Sequence, residues 1–127
     1  ATSPGLGVTG VVDIGGNTSP TVLGRTSTTL ATVTATSFTP TKSRGIICLI
    51  STSQNSSDSC MVAYDVVAGT SFFLSGAGGN CRASTGILTG TTGVDTTITV
   101  SAASNGLIYI ENRRGYTMTY SHLELAY

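Results

Sequence analysis

The chain has no tryptophan, three prolines, three cysteines and one histidine, and charged residues fill only 9% of its 127 positions. Each scarcity excludes something. Six Lys/Arg balance six Asp/Glu to a formal net charge of +0, spread from Asp13 to Glu124, so no basic stripe exists for a phosphate backbone and nucleic acid is excluded as a partner. No run reaches the ~18 apolar residues of a membrane span, and no charged-then-apolar leader precedes a cleavage site, so neither membrane insertion nor a signal peptide is expected. The chain reads as already mature at Ala1, a residue small enough to follow a removed initiator Met, which fits a complete short protein. Cys48, Cys60 and Cys81 make an odd set without a C-x-x-C pair, so neither a zinc knuckle nor a disulfide framework is signalled. A Cys60–Cys81 bridge stays open beside the plainer reading of these residues as small apolar filler.

Catalytic chemistry is equally thin. His122 is the sole imidazole, and Ser121 before it lies on the opposite strand face, so "SHLEL" is no nucleophile elbow and His122 is read as structural. Asp13, Asp58, Asp65, Asp95, Glu111 and Glu124 could pair as glycosidase carboxylates, but a chain this small, without a Trp platform, has little room for the cleft. The Gly-rich "SGAGGNC" lacks the Lys of a P-loop and the spacing of a dinucleotide fingerprint, so it reads as a strand connection. Asn17-Thr18-Ser19 and Asn55-Ser56-Ser57 match the glycosylation acceptor pattern by chance in so hydroxyl-rich a chain. "STSQNSSDS", Ser51 to Ser59, reads as a solvated connection, with contact to a sugar as the alternative. No enzyme activity, cofactor or metal is expected.

What is present is hydroxyl and β-branched carbon: 23 Thr and 16 Ser, with 16 Gly punctuating short runs and no sustained 3.6-residue apolar period. That pattern predicts an all-β domain, an antiparallel two-sheet sandwich, jelly-roll-like, of eight or nine short strands. Expected strands run roughly over 7–14, 28–38, 45–51, 60–68, 71–74, 81–88, 96–102, 107–112 and 116–126. In "TTITVSAA", Ile98, Val100 and Ala102 share one face while Thr97, Thr99 and Ser101 share the other, which is expected to be wet or lightly covered. Asn105-Gly106 suits a type I′ turn and predicts a tight hairpin over 96–112. In the last strand the apolar phase inverts after His122, and a bulge there would reconcile its two halves.

The first 27 residues, rich in Gly with Pro4 and Pro20, read as an arm that orders on a partner or as an irregular first strand and loop, leaving 28–127 as the sandwich domain. Val8, Val11, Val12 and Ile14 are its candidate partner-binding residues, suited to adding a strand to a neighbour's edge. "LIYIEN" is apolar on both faces, and a chain of zero net charge and mean hydropathy +0.25 has little to hold copies apart. Leu107, Tyr109, Met118 and Tyr120 are therefore the candidate self-association residues, with Arg113 and Arg114 as possible surface contacts.

"TPTKSRGIICLIS", Thr39 to Ser51, and "TGILTGTTGVDTTITVSAASNGLIYIENRRGYTMTY", Thr85 to Tyr120, carry a resemblance. A Gly-Thr-Thr-Gly turn, an alternating strand, an Asn-Gly turn, "IYIENR" and a closing strand resemble β-sandwich virion modules of tailed bacteriophages, found at tail fibre and tailspike tips. The resemblance implies a non-enzymatic, trimeric module for assembly or host attachment. With no shaft, coiled coil or β-helix in the chain, it points first to a capsid decoration or cement protein. Such a protein would bind the major capsid protein at the virion surface, after synthesis in the host cytoplasm, by many weak repeated contacts. The alternative is a tail fibre or tailspike tip binding host-surface glycan, and the third reading is a secreted lectin-like module.

Overall fold

A computed structural model describes residues 21–22, 26–52, 58–76 and 79–126. They form ten strands in two sheets, with no α-helix among them. The strands are β1 (Thr21–Val22), β2 (Thr26–Leu30), β3 (Thr34–Phe38), β4 (Arg44–Ser51), β5 (Cys60–Asp65), β6 (Thr70–Gly76), β7 (Cys81–Thr85), β8 (Ile98–Ala102), β9 (Ile108–Asn112) and β10 (Met118–Ala126). Sheet A has the order β1-β10-β4-β5-β6, with β2 also on β10; sheet B has the order β3-β9-β8-β7. Every pairing is antiparallel except β7–β8, which is parallel. This is the expected all-β two-sheet sandwich. Its β4-β5-β6 meander lies within one sheet, and the jelly-roll refinement finds no support in this strand order.

The core fills the space between the sheets. Ile47, Leu49, Val62, Met118 and Tyr120 from sheet A meet Ile98, Val100, Ala102, Ile108 and Ile110 from sheet B, and all are at most 1% exposed. A disulfide between Cys60 of β5 and Cys81 of β7, with 6.3 Å between Cα atoms, joins the two sheets through this core and settles the alternative left open by the cysteine count. Cys48 remains free.

Several local expectations change. The expected strand over 28–38 divides into β2 and β3, which lie in different sheets, across a turn where Val33 takes φ 59°. Thr34 Oγ1 donates to Ala31 O at 2.5 Å and Val33 N to Asn112 O at 2.7 Å, fixing this corner. Thr21, Val22, Thr26 and Ser27 are paired with β10, so sheet A extends into the expected arm; residues 1–20, including the expected strand over 7–14, lie outside the described residues. The hairpin of β8 and β9 forms in register, Ala102 opposite Ile108. Its turn is not type I′: Asn105 keeps a negative φ, Gly106 alone is left-handed at φ 88°, and Gly106 N donates to Ala103 O. That is the three-residue loop in which a type I turn ends on a left-handed residue.

No bulge interrupts β10, which pairs with β4 without a slip from Tyr120–Ser51 to Ala126–Gly45. Met118, Tyr120, His122, Glu124 and Ala126 therefore face inward, and Leu123 and Leu125 are left on the outer face. A bulge does occur at Met61–Val62, where β6 carries Leu74 as the extra residue.

Candidate functional site

The turn and strand motifs of the C-terminal half prove to be one polar construction on the outside of sheet B. Glu111, fully buried on β9, accepts hydrogen bonds from three backbone N–H groups: Gly90 at 2.7 Å, Thr92 at 3.1 Å and Gly93 at 2.6 Å. The "TGTTG" segment, Thr89 to Gly93, is thus wrapped around a carboxylate, which needs such donors when removed from water. Glycine is required at both ends of the wrap. Gly90 has φ 107° and a Cβ there would lie 2.6 Å from Val33 O, while a Cβ on Gly93 would lie 2.6 Å from Glu111 Oε1.

The segment also covers the hydroxyl face of β8. Thr97 Oγ1 donates to Val94 O at 2.7 Å and Ser101 Oγ to Gly86 O at 2.6 Å. Thr97, Thr99 and Ser101 are consequently buried to 2% exposure or less, so the face expected to be wet is closed by the chain's own loop.

The remaining polar residues of "ENRRGY" tie this loop to the rest of the molecule. Asn112 Nδ2 donates to Leu30 O at 2.9 Å and to Tyr116 O at 2.8 Å, and its Oδ1 accepts from Arg114 N. Arg113 Nη1 donates to Gly93 O at 2.6 Å, and Nη2 lies 3.4 Å from Asp95. Arg114 Nη1 donates to Thr96 O at 2.6 Å, and Nε lies 3.0 Å from Oδ1 of the fully buried Asp58, off the hydrogen-bonding direction. Tyr116 donates its hydroxyl proton to Asp58 Oδ2; burial and this bond push its phenol above the usual range. Arg113 and Arg114 are therefore internal fasteners rather than the free surface contacts expected. Asp58, placed by the sequence in a solvated connection, is a buried anchor.

Among the described residues, the other groups weighed for catalysis are engaged elsewhere, and Asp13 lies outside them. His122 stacks on Phe38 with ring centroids 4.2 Å apart; burial holds its imidazole below the ordinary 6.5, with Glu124 opposing the shift. Glu124 accepts from Thr41 Oγ1 at 3.0 Å, and Asp65 pairs with Arg44 Nε at 2.6 Å. Burial, with Glu124 nearby, pushes the Tyr64 phenol up to about 12, and burial does the same to Tyr120. No three potential metal-ligating side chains cluster among the described residues, and no helix among them is long and apolar enough to cross a membrane.

The four residues expected to form one self-association face are separated by the fold. Met118 and Tyr120 belong to the core at 0% and 1% exposure. Tyr109 is half-buried on the outer side of sheet B, where its hydroxyl meets Asn105 Nδ2 at 3.0 Å, and Leu107 is half-buried at the hairpin turn. Val8, Val11, Val12 and Ile14 lie outside the described residues.

Sequence reasoning missed the outer face of sheet A. Register places Leu125, Ile46, Ala63 and Phe72 in one row across four strands, and Leu123, Cys48 and Met61 in the next; Ile50 follows beside Ser121. Phe72 is 73% exposed, Leu74 49% and Ile50 43%. The signal was present in "RGIICLIS", apolar on both faces, and in "HLEL", whose leucines fall out of phase with the core. A second missed feature is a groove of about 550 Å³ between the edges of the two sheets, lined by Ser71, Phe72, Phe73, Arg82 and Val94. Comparison of the chain with protein-family models, curated proteins and solved structures returned no match.

Proposed function

We propose that this protein is a non-enzymatic virion structural protein of a tailed bacteriophage, a decoration or cement protein that binds the major capsid protein at the virion surface and also associates with itself. One observation carries the non-enzymatic part of the reading. Asp58, Glu111, Asn112, Arg113 and Arg114 are turned inward onto backbone and one another. Among the described residues, the exterior they leave is rich in hydroxyl and apolar groups, with Lys42, Arg44, Arg82 and Asp95 as scattered charges, a composition suited to contact rather than to chemistry. The bacteriophage assignment rests on the resemblance of Thr39–Ser51 and Thr85–Tyr120 to virion modules. The disulfide accords with a protein that works outside the reducing cytoplasm, as virion surfaces do.

Attachment through Val8, Val11, Val12 and Ile14 by strand addition belongs to this proposal. The test adds purified protein to particles stripped of their decoration. The full chain should co-sediment with them, and a chain lacking residues 1–20 should fold, because each described strand keeps its partner, but should stay in the supernatant. Failure of the full chain to bind particles would reject the decoration reading, and binding by the truncated chain would reject the arm.

The groove favours a second reading, a tail-tip module for host-surface glycan, because a widely exposed Phe72 beside Arg82 can stack on a sugar ring and pair with an acidic substituent. The secreted lectin-like alternative uses the same groove. A glycan panel that lights up with the native chain and goes dark with Arg82→Ala would favour these readings over decoration.

A further inference from the structure

We propose that the outer face of sheet A is a homotypic interface, through which two copies of this chain associate face to face; the inference rests on the self-association part of the reading above. Antiparallel sheets that face water carry polar residues outward. Here two adjacent outward rows across β10, β4, β5 and β6 are instead Leu125, Ile46, Ala63 and Phe72, then Leu123, Cys48 and Met61, ending on Ser75 at the β6 edge. The patch is bounded by polar groups at both ends: the Arg44–Asp65 ion pair at one, and Ser121 and the Thr52 hydroxyl, which donates to Thr119 O, at the other. An apolar centre with a polar rim is the anatomy of a protein interface.

The occupant follows from charge. Partner choice across an interface is set by complementary potentials, and among the described residues this face carries no uncompensated charge, since its one cation and one anion, Arg44 and Asp65, are paired with each other. A second copy offers a surface of matching neutrality, and the whole chain has a formal net charge of +0, so nothing repels the approach. A face that pairs with itself does so about a two-fold axis. The product is therefore a dimer, rather than the trimer that the resemblance implies.

Size sets the strength. Four strands about 4.8 Å apart and some six residues deep at about 3.3 Å each give roughly 400 Å² in projection. Accessible area exceeds the projection because the side chains stand up from the sheet. It still falls short of the ~800 Å² per partner of a standard stable interface, so the dimer forms reversibly at micromolar concentrations or above. Cys48 lies within the patch on β4, between Leu123 and Met61. With packed sheets about 10 Å apart, the two Cys48 thiols of a dimer fall within reach of a short bismaleimide.

The test is sedimentation of the full purified chain from 1 µM to 1 mM, with Phe72→Ser and Met61→Lys compared at each concentration and thermal melting used to confirm that each variant folds. The native chain should shift from monomer to dimer, each variant should raise the dissociation constant at least ~10-fold, and bismaleimide should join the native chain through Cys48. A chain that stays monomeric at 1 mM, whether the face is bare or covered by its own residues 1–20, would overturn the proposal. So would a dimer that persists in both folded variants, or a native dimer in which Cys48 cannot be cross-linked. Because no particle is involved, failure here leaves the decoration reading to its own experiment.

Discussion

The two sheets treat their outer faces in opposite ways. Sheet B carries Thr97, Thr99, Ser101 and Glu111 on its outer side, residues that suit water, and closes them under the 86–96 segment with backbone donors and Arg113. Sheet A carries Leu123, Ile46, Met61 and Phe72 on its outer side, residues that suit a core, and leaves Phe72 73% exposed. The polar face is internal and the apolar face is external. Side-chain polarity therefore does not locate the surface in this protein: hydrogen-bond satisfaction explains sheet B, and the self-association proposed above would account for sheet A.

The largest effect is expected at Glu111. Replacement by Ala removes the acceptor of three N–H groups in a closed site and should destabilise the protein by about 4 kcal/mol, given ~1–3 kcal/mol for each buried group left unpaired, read as a lowered midpoint in urea. Gly93→Ala should act in the same direction, because its Cβ would press on Glu111 Oε1 and Thr99 Oγ1.

Next is the covalent link between the sheets. Cys60 and Cys81 are 21 positions apart, and opening such a loop by reduction or by Cys81→Ala should cost about 3 kcal/mol. A stability that ignores reductant would show that the sheets are held by packing alone.

Val33 offers a gain. It is 52% exposed and holds φ 59°, a region costly for a β-branched residue. Val33→Asn should raise stability by about 1 kcal/mol, since Asn tolerates that backbone and little apolar contact is lost.

The pH dependence is smaller. Burial lowers the His122 pKa from its ordinary 6.5, so between that value and the folded one the unfolded chain binds the proton and the folded chain does not. Stability from this group is full above pH 6.5 and is lost as pH falls through the folded pKa. Solvent screening of a half-buried ring keeps the loss below about 1 kcal/mol, and His122→Gln should flatten the curve between pH 7 and 5. Asp65, held low by its hydrogen bond from Ala68 and then by Arg44, loses its contribution only below its ordinary 3.8, outside that window.

The smallest effect is expected at Phe72. Phe72→Ser on sheet A should change monomer stability by no more than about 0.5 kcal/mol, as exposed positions do, whereas Glu111→Ala on sheet B should change it severalfold more.

Much of the sandwich was legible because strand alternation is local. "TTITVSAA" placed Ile98, Val100 and Ala102 inward correctly, and the Asn105-Gly106 pair marked a real hairpin while misnaming its turn. What failed was long-range. Nothing near Val33 in sequence announces that the chain changes sheets there, and the parallel pairing of β7 with β8 has no local signature. The polar cluster was half visible: "GTTG" and "IYIENR" form a joint pattern in the sequence, but only the structure shows that Gly93 leaves room for the Glu111 carboxylate while Gly90 lets the loop pass close to the Val33 backbone. Met118 and Tyr120 were assigned to a surface because an apolar residue in an all-β chain looks the same from sequence whether its face meets its own second sheet or another molecule.

The most direct measurement is carbene footprinting of the full chain at 1 µM and at 1 mM, resolved to individual residues. Labelling of Ile46, Met61 and Phe72 should fall on going to the higher concentration, while labelling of Ile87 and Val94, exposed over sheet B, should stay constant. Protection of Ile87 and Val94 with Met61 and Phe72 unchanged would contradict this expectation, and would move the working surface of the molecule to the loop that covers the other sheet.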